Sequence, residues 1–71
     1  MLYFPYMANN KNKIKKIREQ KGLTQEEVAK KAGIFPNYYA KIERGTINTS
    51  VDKANKIAKA LGVEVSDIFP S

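Results

Sequence analysis

The segment Gln25–Arg44, QEEVAKKAGIFPNYYAKIER, carries the pattern from which the fold is predicted. It contains two short helical patterns separated by a tight turn at Gly33, so the two helices are expected to cross steeply. Ala29 has to be small because the second helix passes over it, and Gly33 turns sharply with ease because it has no Cβ. The apolar wedge between the helices is formed by Val28, Ala32, Ile34, Tyr39 and Ile42. Counted from Gln25, the spacing of these residues predicts a helix-turn-helix, with an ordinary αα-hairpin as the alternative.

Upstream of this stretch, the sequence predicts a first helix and the start of the second. Asn9 or Asn10 is expected to cap a helix that runs to about Gln20. Thr24 is the expected N-cap of the second helix, and Glu27, three residues later, completes a capping box.

Downstream, three more helices are predicted. Pro36 suits the first position of the third helix, which ends at Arg44. Ser50 is expected to cap a fourth helix, Val51–Leu61, and a last short turn covers Glu64–Phe69. The buried stripe of the fourth helix is predicted to be Val51, Ala54, Ile57, Ala58 and Leu61.

These patterns predict an all-α, five-helix domain over residues 9–71, preceded by an apolar N-terminal extension, residues 1–8. Two interpretations of the extension stay open. It is either a frayed or vector-derived end, or a segment whose large side chains pack on the body of the protein or across a dimer seam.

Composition and net charge limit the classes of function that the chain can have. The 71 residues include no cysteine and no histidine, so disulfides, thiolate metal sites and the usual neutral-pH general base are excluded. We therefore expect no enzyme, no metal and no cofactor. The net charge of +6 favours a polyanionic partner, which is either nucleic acid or an anionic membrane surface. With no membrane span and no export signal in the sequence, a cytoplasmic location is predicted.

The sequence also resembles a known family, the phage repressor and Cro-like (XRE family) DNA-binding domains. The resemblance spans residues 11–69, and the stretches that carry it are Ile14–Arg18, Lys21–Ala29, Ala32–Ile34, Lys41–Gly45 and Ile57–Val63. Within the family the chain is most similar to the controller proteins of restriction–modification systems, on residues 42–46 together with Asn48 and Ser50. The resemblance implies a lambda-repressor-like fold with the third helix as recognition helix.

The resemblance also implies which residues would read bases. The candidate base contacts are Phe35, Pro36, Asn37, Tyr38 and Lys41. Asn37 can bond adenine N6 and N7 together, and Lys41 can reach guanine O6 or N7. The chain departs from the family at Phe35 and Pro36, where the family commonly has a capping Ser, Thr or Asp and then a polar residue. Both residues can still make apolar contact with thymine methyl groups.

Further roles are implied for the supporting residues. The candidate phosphate contacts are Gln25, Arg44, Asn48, Thr49 and Ser50. Arg18 and Glu43 resemble a structural ion pair of the family, which joins the first helix to the end of the third. The expected dimer interface lies at the last helices and consists of Val65, Ile68 and Phe69.

The predicted function is a sequence-specific transcriptional regulator, of repressor or controller type, that binds double-stranded DNA. A homodimer on a near-palindromic operator is expected, because one monomer offers few base contacts. No small-molecule effector is expected, since the 71 residues leave no room for a separate sensing domain. Two alternatives remain: an antitoxin of the same fold with a toxin partner, and a protein-bridging module that never contacts bases.

Overall fold

The computed structural model describes residues 12–69, and these residues form five helices. The helices are α1 (Ile14–Gln20), α2 (Gln25–Ala32), α3 (Pro36–Arg44), α4 (Val51–Leu61) and α5 (Val65–Ile68). The predicted all-α class with five helices is confirmed. Residues 1–8, the predicted extension, lie outside the described residues.

The two central helices begin and end where the sequence predicts. The Thr24 hydroxyl accepts from the Glu27 backbone N–H at 3.1 Å, and the Glu27 carboxylate accepts from the Thr24 N–H at 2.9 Å. This reciprocal pair is the predicted capping box. At the other end of α2, Gly33 has φ of +70°, a left-handed conformation that glycine adopts without a Cβ penalty. The chain then turns directly into α3.

The predicted start of α1 is wrong. Asn9 and Asn10 lie outside the described residues, and α1 begins at Ile14 with Lys13 as its N-cap residue. Asn12 stabilises this start instead, because its side-chain oxygen accepts from the Ile14 N–H at 3.0 Å. The Asn12 amide also donates to the Ile42 carbonyl at 2.9 Å, which ties the start of α1 to α3. That second contact spans 30 residues of sequence and leaves no local signal.

One core joins all five helices. α2 packs against both α3 and α4, and α5 packs against α4. The buried apolar residues are Ile14, Val28, Ala29, Ala32, Ile34, Tyr39, Ile42, Ala54, Ile57, Ala58, Leu61, Ile68 and Phe69. Val51 was expected in the stripe of α4, but it is 41% exposed. It occupies the first helical position, one turn before the stripe meets the core.

The predicted dimer interface needs correction. Ile68 is 0% exposed and Phe69 is 5% exposed in the single chain, so both side chains belong to the core of the protomer. α5 is tied to the start of α1 by a bond from the Lys13 N–H to the Ile68 carbonyl at 2.8 Å. Of the three predicted interface residues, only Val65 keeps part of its surface.

Candidate nucleic-acid interface

The candidate recognition helix, α3, is held on its buried side by an ion pair. The Arg18 guanidinium donates to both carboxylate oxygens of Glu43, each at 3.0 Å. A third donor of Arg18 reaches the Leu23 carbonyl at 2.8 Å. The two predicted partners are thus brought together in a bidentate, buried geometry that joins α1 to the end of α3.

The pKa values in this cluster reflect burial and hydrogen bonding. Burial by itself would raise the pKa of Glu43, but the hydrogen bonds from Arg18 and Gln25 outweigh it and the pKa is lowered. The hydrogen bond to Glu43 raises the pKa of Arg18. Burial raises the pKa of the Tyr39 phenol well above its usual range, and the negative charge of Glu43 adds to this. The cluster is therefore a fixed Arg⁺–Glu⁻ pair with a neutral tyrosine beside it.

Tyr39 lies on the inner side of α3. It is fully buried, as the sequence predicts, and its hydroxyl has no hydrogen-bond partner among the described residues. Together with Ile42 and Glu43, it makes up the buried side of the helix. This inner side fixes which way the rest of α3 faces.

The outer side of α3 carries the predicted base-contacting residues. Phe35, Pro36, Asn37 and Lys41 are all exposed. Asn37 and Lys41 are four residues apart in the helix, so they share one face. All four side chains thus face solvent, and Asn37 and Lys41 lie on the side of α3 opposite its buried residues.

Tyr38 stands apart from the other four. It is half-buried against the core, and the Lys53 ammonium lies 5.2 Å from the centre of its ring. This cation–π contact joins α3 to the first turn of α4. The contact leaves no signal in the sequence because it joins two different helices. Lys56, in the second turn of α4, is exposed and forms a surface ion pair with Asp52 at 3.2 Å.

Gln25 differs from a fully solvated residue because its side chain is bonded within the protein. It is the first residue of α2 and is half-buried, and its side-chain amide donates to Glu43 at 3.1 Å. One hydrogen of that amide is therefore directed into the protein. The second hydrogen on the same nitrogen is the one that a phosphate oxygen could accept.

The loop after α3 only partly matches the predicted phosphate-contacting set. Arg44 and Asn48 are exposed. Thr49 is only 3% exposed, so the prediction of a phosphate contact is wrong for its side chain. The Ser50 hydroxyl accepts from the Lys53 N–H at 3.1 Å, which makes Ser50 the predicted N-cap of α4. Its hydroxyl is thus already engaged within the helix start.

Two further features of residues 12–69 concern metal ions and membranes. No cluster of potential ligands for a metal ion occurs among them. In the same range, every helix is too short or too polar to cross a bilayer.

The chain is similar in sequence to known helix-turn-helix proteins. The sequence profile of a family described as helix-turn-helix matches residues 14–68. The chain is 46% identical over 59 residues to an HTH-type transcriptional regulator of Methanocaldococcus jannaschii, covering 83% of this chain and 89% of that protein. It is 42% identical over 58 residues to the control protein C.BamHI of Bacillus amyloliquefaciens, covering 80% and 72% of the two chains.

A solved structure of a controller protein is also similar to this chain in its fold. The restriction-modification controller protein C.AhdI from Aeromonas hydrophila matches with a TM-score of 0.75 and 34% identity. The match covers 78% of this chain and 83% of that one. The likeness therefore extends over nearly the whole of the described fold.

Proposed function

This chain belongs to the XRE-type helix-turn-helix family of transcriptional regulators, and from that premise we propose that it binds a specific DNA operator as a homodimer. The family is one of DNA-binding regulators and is not enzymatic. Its members with similar sequence and structure include controller proteins of restriction–modification systems. A controller or repressor role in the cytoplasm is accordingly the function we assign.

The observation that carries the proposal is the division of α3 into two sides. Its inner side is held by the core and by the pair of Arg18 with Glu43, so the helix cannot roll without breaking a buried ion pair. Its outer side presents Asn37 and Lys41 to solvent. A rigid helix with exposed hydrogen-bonding side chains near its N-terminus is what major-groove readout requires.

The roles of individual residues follow from their chemistry. Asn37 bonds adenine with two hydrogen bonds, and Lys41 reaches guanine. Arg44 and Asn48 contact the phosphate backbone beyond the end of α3, and the second amide hydrogen of Gln25 contacts it at the start of α2. The net charge of +6 supplies long-range attraction for the duplex.

A two-fold pair explains how so small a domain could be selective. One recognition helix offers few base contacts, whereas two such helices roughly 34 Å apart read adjacent major grooves on one side of the duplex. The operator is then near-palindromic. Sedimentation equilibrium, with and without the operator, measures the stoichiometry, and a single protomer on the full site would contradict the dimer.

Selection of bound sites from a random duplex library tests the proposal most directly. We expect one near-palindromic consensus, with an affinity for it that falls with salt at a slope of about −0.9 per phosphate contacted. A library that yields no consensus would refute sequence-specific binding.

Two variants separate base reading from backbone contact. We predict that Asn37→Ala costs about 1–3 kcal/mol on the selected site and relaxes the preference at one base pair per half-site. Arg44→Ala is expected to weaken binding to all duplexes about equally and to reduce the salt slope by about one. Titration of both variants against the consensus and a scrambled duplex checks this, and an unchanged preference in Asn37→Ala would contradict the register of α3.

A further inference from the structure

The most exposed large apolar side chain of residues 12–69 lies at the tip of the proposed DNA-binding surface. Phe35 is 84% exposed, and the next such residue, Val51, is 41% exposed. Phe35 is the N-cap residue of α3, where its side chain makes no capping hydrogen bond. A residue that neither caps its helix nor packs in the core contributes little to folding at this position.

The surroundings of Phe35 are also apolar. Pro36 follows it as the first residue of α3, and a shallow depression beside them is lined largely by Ala29, Gly33 and Ile34. Proline has no backbone N–H, and neither side chain can donate or accept a hydrogen bond. Phe35 and Pro36 together, the apolar tip, therefore cannot read the polar edges of bases.

The chemistry of the major groove leaves one kind of target for such a tip. Among the four standard bases, only thymine places an apolar group in that groove, the methyl group on C5. 5-Methylcytosine carries the same group at the same ring position. A 5-methylated pyrimidine is thus the feature that an apolar side chain at the start of a recognition helix can recognise.

The size of the tip argues against a protein partner. A stable protein–protein interface buries at least about 1,000 Å² in total, which one ring and a shallow depression do not supply. The tip is also followed at once by exposed Asn37, and exposed Lys30 borders the depression. A small apolar area surrounded by polar and basic side chains suits a DNA groove, where base edges are flanked by negatively charged phosphates.

We propose that Phe35, supported by Pro36, is a specificity-determining residue that selects a pyrimidine with a 5-methyl group at one position of each half-site. This inference rests on the proposed function, because it assumes that α3 enters the major groove. It adds a chemical requirement that hydrogen bonding by Asn37 and Lys41 does not contain.

The test uses the selected operator with single bases altered by one methyl group. Each thymine of a half-site is replaced in turn by deoxyuracil, which keeps base pairing and removes only the methyl. We expect one position at which the unaltered protein loses about fourfold in affinity, the effect of burying one methyl-sized group. At that position, 5-methylcytosine is expected to bind about fourfold better than cytosine.

The variant Phe35→Ser assigns the effect to the ring. It removes the aromatic side chain and supplies a good N-cap, so the helix is not weakened. We expect Phe35→Ser to bind the thymine and uracil duplexes equally. Val51→Ser, at the second most exposed apolar residue, is the matched control and is expected to keep the fourfold difference.

The outcomes separate the two hypotheses. If the protein selects a consensus but no thymine-to-uracil change matters, or if Phe35→Ser keeps the methyl dependence, the role of Phe35 is refuted while the proposed function stands. If no consensus is selected, the proposed function fails and the inference fails with it.

Discussion

The two helices of the helix-turn-helix begin in the same backbone conformation but with opposite chemistry. Thr24 before α2 and Phe35 before α3 both have extended backbones, with φ and ψ of −87° and 163° and of −62° and 138°. Thr24 forms a complete capping box, whereas Phe35 forms no side-chain cap. One helix start is thus stabilised by its own side chains, whereas the other leaves a large apolar side chain exposed to solvent.

The surroundings of the two helix starts extend this contrast. Gln25, next to Thr24, bonds to Glu43 in the buried ion-pair cluster, so the start of α2 is tied to two other helices. The start of α3 is exposed at Phe35, Pro36 and Asn37. The start of α2 is thus held by bonds to the rest of the protein, whereas the start of α3 is exposed to solvent.

The largest effect is expected from breaking the cluster that anchors the start of α2. Glu43→Gln leaves the buried Arg18 without its counter-charge, so we predict a loss of about 3 kcal/mol in the free energy of unfolding. Urea denaturation measures the loss. Glu26→Gln makes the same chemical change at an exposed position of α2 and is expected to stay within about 0.5 kcal/mol of the unaltered protein. Equal stabilities for the two variants would show that the ion pair does not anchor the helices.

Removing the cap of α2 is expected to have a smaller effect. Thr24→Ala deletes the hydroxyl that accepts from Glu27, and we predict a destabilisation of about 1 kcal/mol. The midpoint of urea denaturation measures it. Thr24→Ser keeps the hydroxyl and serves as the control, so a similar loss in both variants would contradict a capping role.

Supplying a cap to α3 is expected to act in the opposite direction. Phe35→Ser provides a hydroxyl that can accept from the first turn, and the exposed ring contributes little packing. We predict a gain of about 0.5–1 kcal/mol in stability. Thermal unfolding of Phe35→Ser and Phe35→Ala separates the new cap from the loss of the ring, because only serine can cap. A stability below that of the unaltered protein would mean that Phe35 supports the fold.

Acid is expected to weaken the start of α2 and not that of α3. Hydrogen bonds from the Thr24 backbone and hydroxyl lower the pKa of Glu27 below its usual 4.5, and the pKa of Glu43 is lowered too. Groups with lowered pKa values bind fewer protons when folded, so stability is full above about pH 4.5 and is lost as the pH falls through the folded pKa values.

This pH dependence is checked by urea denaturation between neutral pH and pH 3. Glu27→Gln keeps the capping acceptor but cannot titrate, so we expect its stability to fall less steeply with acid than that of the unaltered protein. Identical slopes would show that the box does not titrate with folding.

Most of the helix boundaries could be predicted from the sequence because the signals are local. Thr24 and Glu27 are three residues apart, Pro36 starts its own helix, and Ser50 bonds to the turn that follows it. The start of α1 is the exception: Asn12 provides a local acceptor for the Ile14 N–H, but its second bond, to the Ile42 carbonyl, joins residues far apart in sequence.

The candidate site was harder to predict, because exposure depends on what packs nearby. Thr49 lies in a polar loop and was expected to face a phosphate, yet the fold buries it. Ile68 and Phe69 were expected at a dimer seam, but the core of the same chain takes them. The contact of Lys53 with Tyr38 joins two helices and has no pattern in the sequence.

Five helices, the caps of α2 and α4, the turn at Gly33 and the likeness to the helix-turn-helix family could be predicted from sequence, because each depends on residues that are close together in the chain. Which side chains stay exposed to solvent could be seen only in the folded protein. That outcome depends on long-range packing: the same apolar residue is core where another helix covers it, as at Phe69, and exposed where none does, as at Phe35.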